Sequence, residues 1–302
     1  MAKRVALIGH PVTHSLSGVL QQAAFDSLGI DARYELVDRL LIDLPETIAT
    51  LRDADTLGAN ITVPFKERAV PMMDRLAEDA QATGAVDTVT REGARLIGHN
   101  TDVPGFRKAL DTLVGKQKLP KAAVVLGAGG AARAVVYALI TSGFQHVIVF
   151  NRHLHRAEGL VRHFGKSAAH MELRAKPWHE SVLEAELART KVLINASSVG
   201  RIADETPIPA ELLPPDLLVM DLLYTPRQSR LLRDAAAAGA TAVQNGDVML
   251  IHQSAAAFEL WTGQSAPIDL LTQTLEEARD ANAAADAADA AAAEPGADAP
   301  DA

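Results

Sequence analysis

The stretch Ala122-Ala-Val-Val-Leu126-Gly127-Ala-Gly129-Gly130-Ala-Ala132-Arg133 decides the fold. Five apolar residues in a row suit a strand buried on both faces. The glycines that follow permit a tight turn and let the backbone approach a pyrophosphate, while the small Ala132 lets the next helix pack closely on the strand. Free N–H groups at a helix start favour an anion. Gly127, Ala128, Gly129, Gly130, Ala131 and Ala132 are therefore candidate cofactor contacts. Glycine turns between strand and helix are common, so the pattern takes its meaning from its context.

Downstream, the next strand decides the cofactor. A NAD site places an acid about 20 residues on, to bond the ribose 2′-hydroxyl. Here the strand His146–Phe150 ends in Asn151-Arg152, with Arg156 beyond and no acid. Guanidinium groups form forked, charge-assisted bonds to a 2′-phosphate, which favours NADP. The plainer alternative is a solvated arginine at a helix start. Asn195-Ala-Ser197-Ser198-Val-Gly200 closes a later strand and suits either a loop along a cofactor or a simple turn. Further strands are expected at Met171–Arg174, Lys191–Asn195, Leu217–Leu222 and Ala242–Gln244. Helices are expected to about Thr141, at Leu154–Phe164, at about Val248–Trp261 and at Ile268–Arg279.

Upstream lies a second α/β region. Val5–Gly9, Arg33–Val37 and Gly58–Val63 read as strands, alternating with helices over about Val19–Leu28 and Asp43–Leu51. Such alternation predicts a mostly parallel sheet. Val86–Thr90 and Arg95–Gly98, split by Glu92-Gly93, read as a hairpin. A helix starts after Pro104 and runs to about Leu113, and residues 115–120 form a polar linker. The chain of 302 residues fits two α/β domains.

Two clusters in the first region carry chemistry. Asn60-Ile-Thr62-Val-Pro64-Phe-Lys66 puts a lysine just past a strand end, and Asp102 sits in a loop before a helix. Reducing a ketone by hydride leaves an alkoxide that needs a proton, and a lysine oriented by a carboxylate can supply it. Taken bare, Lys66 also reads as a surface charge and Asp102 as an N-cap. Ser15 and Ser17, at the start of the first helix, either hold an anion such as a carboxylate or cap that helix. His10 and His14 lack the acids or cysteines that would complete a metal set, so no metal is expected.

Composition narrows the classes. There is no cysteine, which excludes disulfides and thiolate chemistry and fits a reducing, cytoplasmic setting. No apolar run reaches membrane-spanning length, and the first apolar segment is too short for a signal-peptide core. The formal net charge of −9 gives no nucleic-acid footprint. Five acids, Asp286, Asp289, Glu294, Asp298 and Asp301, fall in an Ala/Asp-rich segment at 281–302 that is expected to be a disordered tail.

The motifs together resemble the shikimate dehydrogenase family. The segments that carry the likeness are 9–17, 60–66, Gly84-Ala-Val-Asp-Thr88, Asn100-Thr-Asp102, 127–133, Asn151-Arg152, Asn195-Ala-Ser-Ser198, Asp221-Leu-Leu-Tyr-Thr-Pro226 and Met249-Leu-Ile-His-Gln253, in the family's order. The resemblance implies NADP-linked, reversible reduction of 3-dehydroshikimate to shikimate on the route to chorismate and the aromatic amino acids. It implies a substrate domain at 1–104, joined by the helices at about 247–280, and a Rossmann-type NADP domain at 105–246 across a cleft. By the same resemblance, Lys66 and Asp102 are the catalytic pair, and Ser15 and Ser17 hold the substrate carboxylate. Thr62, Asp87, Tyr224 and Gln253 line the substrate site. Residues 127–132 hold the pyrophosphate, Asn151, Arg152 and Arg156 read the 2′-phosphate, and Asn195, Ser197 and Gly246 lie beside the cofactor.

Four residues depart from the family pattern: Gly18 for Pro, His99 for Asp, His153 for Thr and Asp87 for Asn. Asp87 matters most, because an ionised Asp only accepts hydrogen bonds where Asn also donates. A second carboxylate near Asp102 and Lys66 is expected to raise one acid's pKa and that of Lys66, shifting the pH optimum or weakening substrate binding. The competing readings are a quinate/shikimate dehydrogenase with relaxed cofactor use, a non-catalytic shikimate-binding paralogue, and a methylene-folate dehydrogenase-like enzyme. A homodimer through edge strands of the first half stays open, with no residue singling it out.

Overall fold

In the computed structural model, residues 2–202 and 204–293 are described, with side chains to residue 282. The first half comprises β1 (Lys3–Gly9), α1 (Ser17–Ser27), β2 (Ala32–Asp38), α2 (Leu44–Ala49), β3 (Thr56–Ile61), β4 (Arg75–Leu76), α3 (Glu78–Thr83), β5 (Thr88–Glu92) and β6 (Arg95–His99). Its sheet runs β2-β1-β3-β5-β6-β4. The β2, β1 and β3 strands are parallel, whereas β5 is antiparallel to both β3 and β6. The β5–β6 hairpin is the one read around Glu92-Gly93.

Helix α4 (Asp102–Val114) leads into the second half. There follow β7 (Ala122–Leu126), α5 (Gly130–Thr141), β8 (His146–Phe150), α6 (Leu154–Phe164), β9 (Glu172–Lys176), α7 (Glu180–Leu187), β10 (Val192–Asn195), β11 (Leu218–Asp221), α8 (Arg230–Ala237) and β12 (Ala242–Gln244). This sheet runs β12-β11-β10-β7-β8-β9, and every pairing is parallel. The strand order reverses beside β7, so the turn after β7 opens at the switch point where such sheets bind ligands.

The continuous apolar run of β7 has the consequence expected of it. Ala123 and Val125 face a core shared with α4, α5 and α6. Val124 and Leu126 face the opposite core, with Leu183 and Leu187 of α7 and Leu231 and Leu232 of α8. Full burial of each large side chain contributes about 1.5–3 kcal/mol.

After β12 the chain returns to the first half through α9 (Asp247–Thr262) and α10 (Ile268–Ala293). Phe258 and Trp261 of α9 and Leu271 and Leu275 of α10 pack on Val5, Leu20 and Phe25. Trp261 Nε1 donates to the Val89 carbonyl at 3.0 Å. The first sheet is thus covered by helices from the far end of the chain.

Part of the segment at 281–302 departs from its expectation. Residues 281–293 continue α10 instead of forming a structureless tail. Alanine has the highest helix propensity, and an already nucleated helix propagates readily through an Ala-rich run. Residues 294–302 lie outside the described residues. Helices α3, α7 and α8 and the short β4 went unread in the sequence.

Candidate active site

Between the halves lies a cleft of about 830 Å³. The C-terminal ends of both sheets, with the starts of α1, α4, α5 and α9, form its walls. On the first half's side, Ser15, Ser17, Thr62, Lys66, Asp87 and Asp102 line it. Tyr224 and Gln253 enter from the loop after β11 and from α9.

Lys66 Nζ donates to Asp102 Oδ2, and both side chains are nearly buried, 12% and 7% exposed. Asp102 is not the N-cap of α4 but its first residue, and Thr101 before it supplies no side-chain cap. The cap comes from Asp87. Its Oδ1 accepts from the Thr101 N–H at 2.7 Å and its Oδ2 from the Asp102 N–H at 2.8 Å. The hydroxyls of Thr88 and Thr101, each at 2.8 Å, also donate to Oδ1. A carboxylate at a helix N-terminus satisfies free N–H groups and suits the helix dipole. Asp87 therefore anchors the backbone of Asp102.

Two buried acids share one lysine, and the protonation equilibria follow. Burial works to lower the pKa of Lys66, but the carboxylates of Asp102 and Asp87 outweigh it and the net direction is up. Burial, reinforced by the charge of Asp102, pushes Asp87 up to about 6 despite the opposing Lys66.

Ser15 Oγ accepts from the Ser17 N–H at 3.3 Å, an ST-turn that brings both hydroxyl-bearing residues to the same wall. Neither serine is the N-cap of α1, which is Leu16, although Ser15 Oγ holds the N–H of the helix's first residue. Gln253 Nε2 donates to Ser254 Oγ at 2.9 Å.

On the second half's side, Gly127–Ala131, Ser197 and Gly246 line the cleft. Gly127 has φ +111°, and an added Cβ would lie 2.7 Å from the Ala196 carbonyl. The turn after β7 and the loop after β10 therefore abut, and glycine is required there. At Gly130 a Cβ would come within 2.6 Å of Lys66 Cβ, so the lysine stem crosses the first residue of α5. Asn151, Arg152, His153 and Arg156 form the far end of the same cleft, with no acid at the end of β8. These features fit a dinucleotide carrying a 2′-phosphate.

Two expected cofactor contacts do not reach the cleft. Ala132 is fully buried and packs in the core under the turn, because its small side chain is the helix–sheet contact itself. Asn195 is also fully buried. It bonds Ser197 N–H and Oγ, the Val199 carbonyl and Asp221 Oδ1, and so shapes the 196–199 loop from beneath. Glu67, Trp178 and Arg201, none of them among the expected site residues, also line the cleft. For Glu67 the available signal was its place beside Lys66. Trp178 and Arg201 lie in loops where no pattern marks them. Among the described residues, no group of three or more His, Cys, Asp or Glu is arranged to hold a metal.

A parallel, doubly wound sheet with a glycine turn at its switch point, facing a buried Lys–Asp pair, defines a dinucleotide-dependent oxidoreductase of two α/β halves. Comparison with known proteins makes this specific. The family model for the shikimate dehydrogenase substrate binding domain matches residues 7–89. The shikimate / quinate 5-dehydrogenase model matches 112–205, and that for the shikimate 5'-dehydrogenase C-terminal domain matches 248–276. The shikimate dehydrogenase (NADP(+)) of Methanopyrus kandleri is 39% identical, covering 90% of this chain and 94% of that protein. That of Thermus thermophilus is 44% identical, covering 86% and 92%. The crystal structure of the Thermus thermophilus shikimate 5-dehydrogenase with NADP(H) and shikimate superposes with a TM-score of 0.80 at 41% identity, covering 91% of this chain and 99% of that one. The chain belongs to the shikimate dehydrogenase family.

Proposed function

We propose that the protein is an NADP-dependent shikimate dehydrogenase that reversibly reduces 3-dehydroshikimate to shikimate. The observation that carries this reading is the buried Lys66–Asp102 pair set against the start of α5. The reduced nicotinamide cofactor, when bound, supplies a hydride. Lys66, held as an ammonium by two carboxylates, stabilises the oxyanion developing at the reduced carbonyl and delivers a proton to it. Asp102 keeps that ammonium charged and aimed.

Ser15 and Ser17 hold the substrate carboxylate, and Thr62, Tyr224 and Gln253 bond its remaining polar groups. Asp87 Oδ2 has a single protein partner, the Asp102 N–H, and keeps acceptor capacity for a substrate hydroxyl. The backbone of Gly127–Ala131 cradles the pyrophosphate, with Ser197 and Gly246 alongside. Asn151, Arg152 and Arg156 select the 2′-phosphate. The substrate domain is 1–104 together with α9 and the start of α10, and the NADP domain is 105–246.

The test follows cofactor reduction with shikimate and NADP, beside NAD, quinate and a Lys66→Ala control. NADP-linked turnover that falls about 100- to 10,000-fold in the control is expected. A preference for quinate or NAD would instead select the related quinate activity. Ligand-dependent thermal shift without turnover would select the binding-protein reading.

A further inference from the structure

Residues 66 and 67 grip one face of α5 together. The stem of Lys66 lies across Gly130. Glu67 Oε2 accepts from Arg133 Nε at 2.9 Å, and positions three apart face the same side of a helix. Glu67 Oε1 lies 3.8 Å from Arg156 Nη2. Arg133 is itself held from the first half, since its Nη1 donates to the Thr83 carbonyl at 3.0 Å. Beside it, His163 Nε2 lies 2.8 Å from the Ala82 carbonyl and acts as the donor. Loop 62–67 and the end of α3 are thus clasped to α5 and α6 across the cleft.

We propose that Glu67 is a positioning residue whose ion pair with Arg133 sets Lys66 against the nucleotide turn. The inference rests on the proposed function, in which Lys66 must meet a substrate held next to the cofactor. A pair in which Glu67 is 35% exposed contributes little to stability. Its effect is geometric, since misplacing a reacting group by about 1 Å costs up to roughly 100-fold in rate.

Glu67→Gln keeps the size and removes the charge. Steady-state kinetics with shikimate and NADP, and with 3-dehydroshikimate and NADPH deuterated at the transferred position, are compared with backbone hydrogen exchange in Glu67→Gln, Arg133→Gln and the double variant. The expected kcat of Glu67→Gln is about 10-fold lower. Both KM values are expected to stay within about twofold, with a larger primary isotope effect on kcat. Exchange across residues 64–69 is expected to rise in each single variant and no further in the double. Unchanged kcat and isotope effect in an enzyme whose wild type turns over would overturn the proposal and leave the function standing. A wild type without turnover would overturn the functional reading, and hydrogen exchange then decides the clasp: unchanged exchange at 64–69 overturns it whatever the activity.

Discussion

Asp87 is the residue at which this chain parts most clearly from its family pattern, and its geometry says what the change does. Both carboxylate oxygens accept backbone N–H groups at the start of α4. In the same pose an Asn would turn an NH₂ toward one of those donors and keep only one of the two bonds. Protonation of Asp87 near pH 6 likewise removes an acceptor and takes a negative charge from beside Lys66 and Asp102. We expect kcat/KM to fall as pH drops through about 6, and Asp87→Asn to lack that limb; pH–rate profiles of the two proteins check it. For stability the sign is opposite. The folded pKa lies above the unfolded value of 3.8, so the native state binds the proton more readily. This group's contribution is fully present below 3.8 and declines as pH rises toward 6. Thermal melts between about pH 4 and pH 7 should show that slope in the wild type and not in Asp87→Asn. The second carboxylate beside Lys66 was legible in the sequence. Its capping of α4 was not, because that depends on where β5 begins relative to a helix 15 residues away.

At the scale of elements, legibility followed the strength of the local pattern. The run Ala122–Leu126 and the helix Leu154–Phe164 have the bounds read from the sequence, since a continuous apolar run and a full amphipathic period leave little choice. Helices α7 and α8 bury only three residues each over eight and give too few periods to read. Helix α9 shows how a C-terminal element comes to pack on the first half: Phe258 is fully buried, with its ring centroid 5.2 Å from that of Phe25 on α1. Phe258→Ala is expected to cost about 3–5 kcal/mol, read as a lowered urea midpoint.

Across the whole molecule, the site is assembled from segments far apart in sequence. The class of cofactor and the two halves were legible, since each depends on a contiguous motif. The pairing of Glu67 with Arg133 and Arg156 was not, because ion pairs between remote segments leave no periodic trace. Arg279 of α10 shows the same long reach. It bonds Asp247 at the start of α9 and donates to the Tyr224 carbonyl at 3.1 Å. Arg279→Ala is expected to cost about 1–3 kcal/mol. It should also raise the KM for shikimate several-fold with kcat little changed, because it frees the backbone of Tyr224; melts and initial rates check both.

The chain crosses between its halves twice, outward along α4 and back into α9, and the two crossings share a packed core through Val103, Phe106 and Met249. Two struts fastened side by side resist twisting and sliding far more than they resist bending. Any opening of the cleft is therefore expected to be a bend where α4 and α9 join the halves, and the Glu67–Arg133 and Arg133–Thr83 contacts must part for it. Such a bend would work the cleft like a book on its spine, with those contacts as its catch.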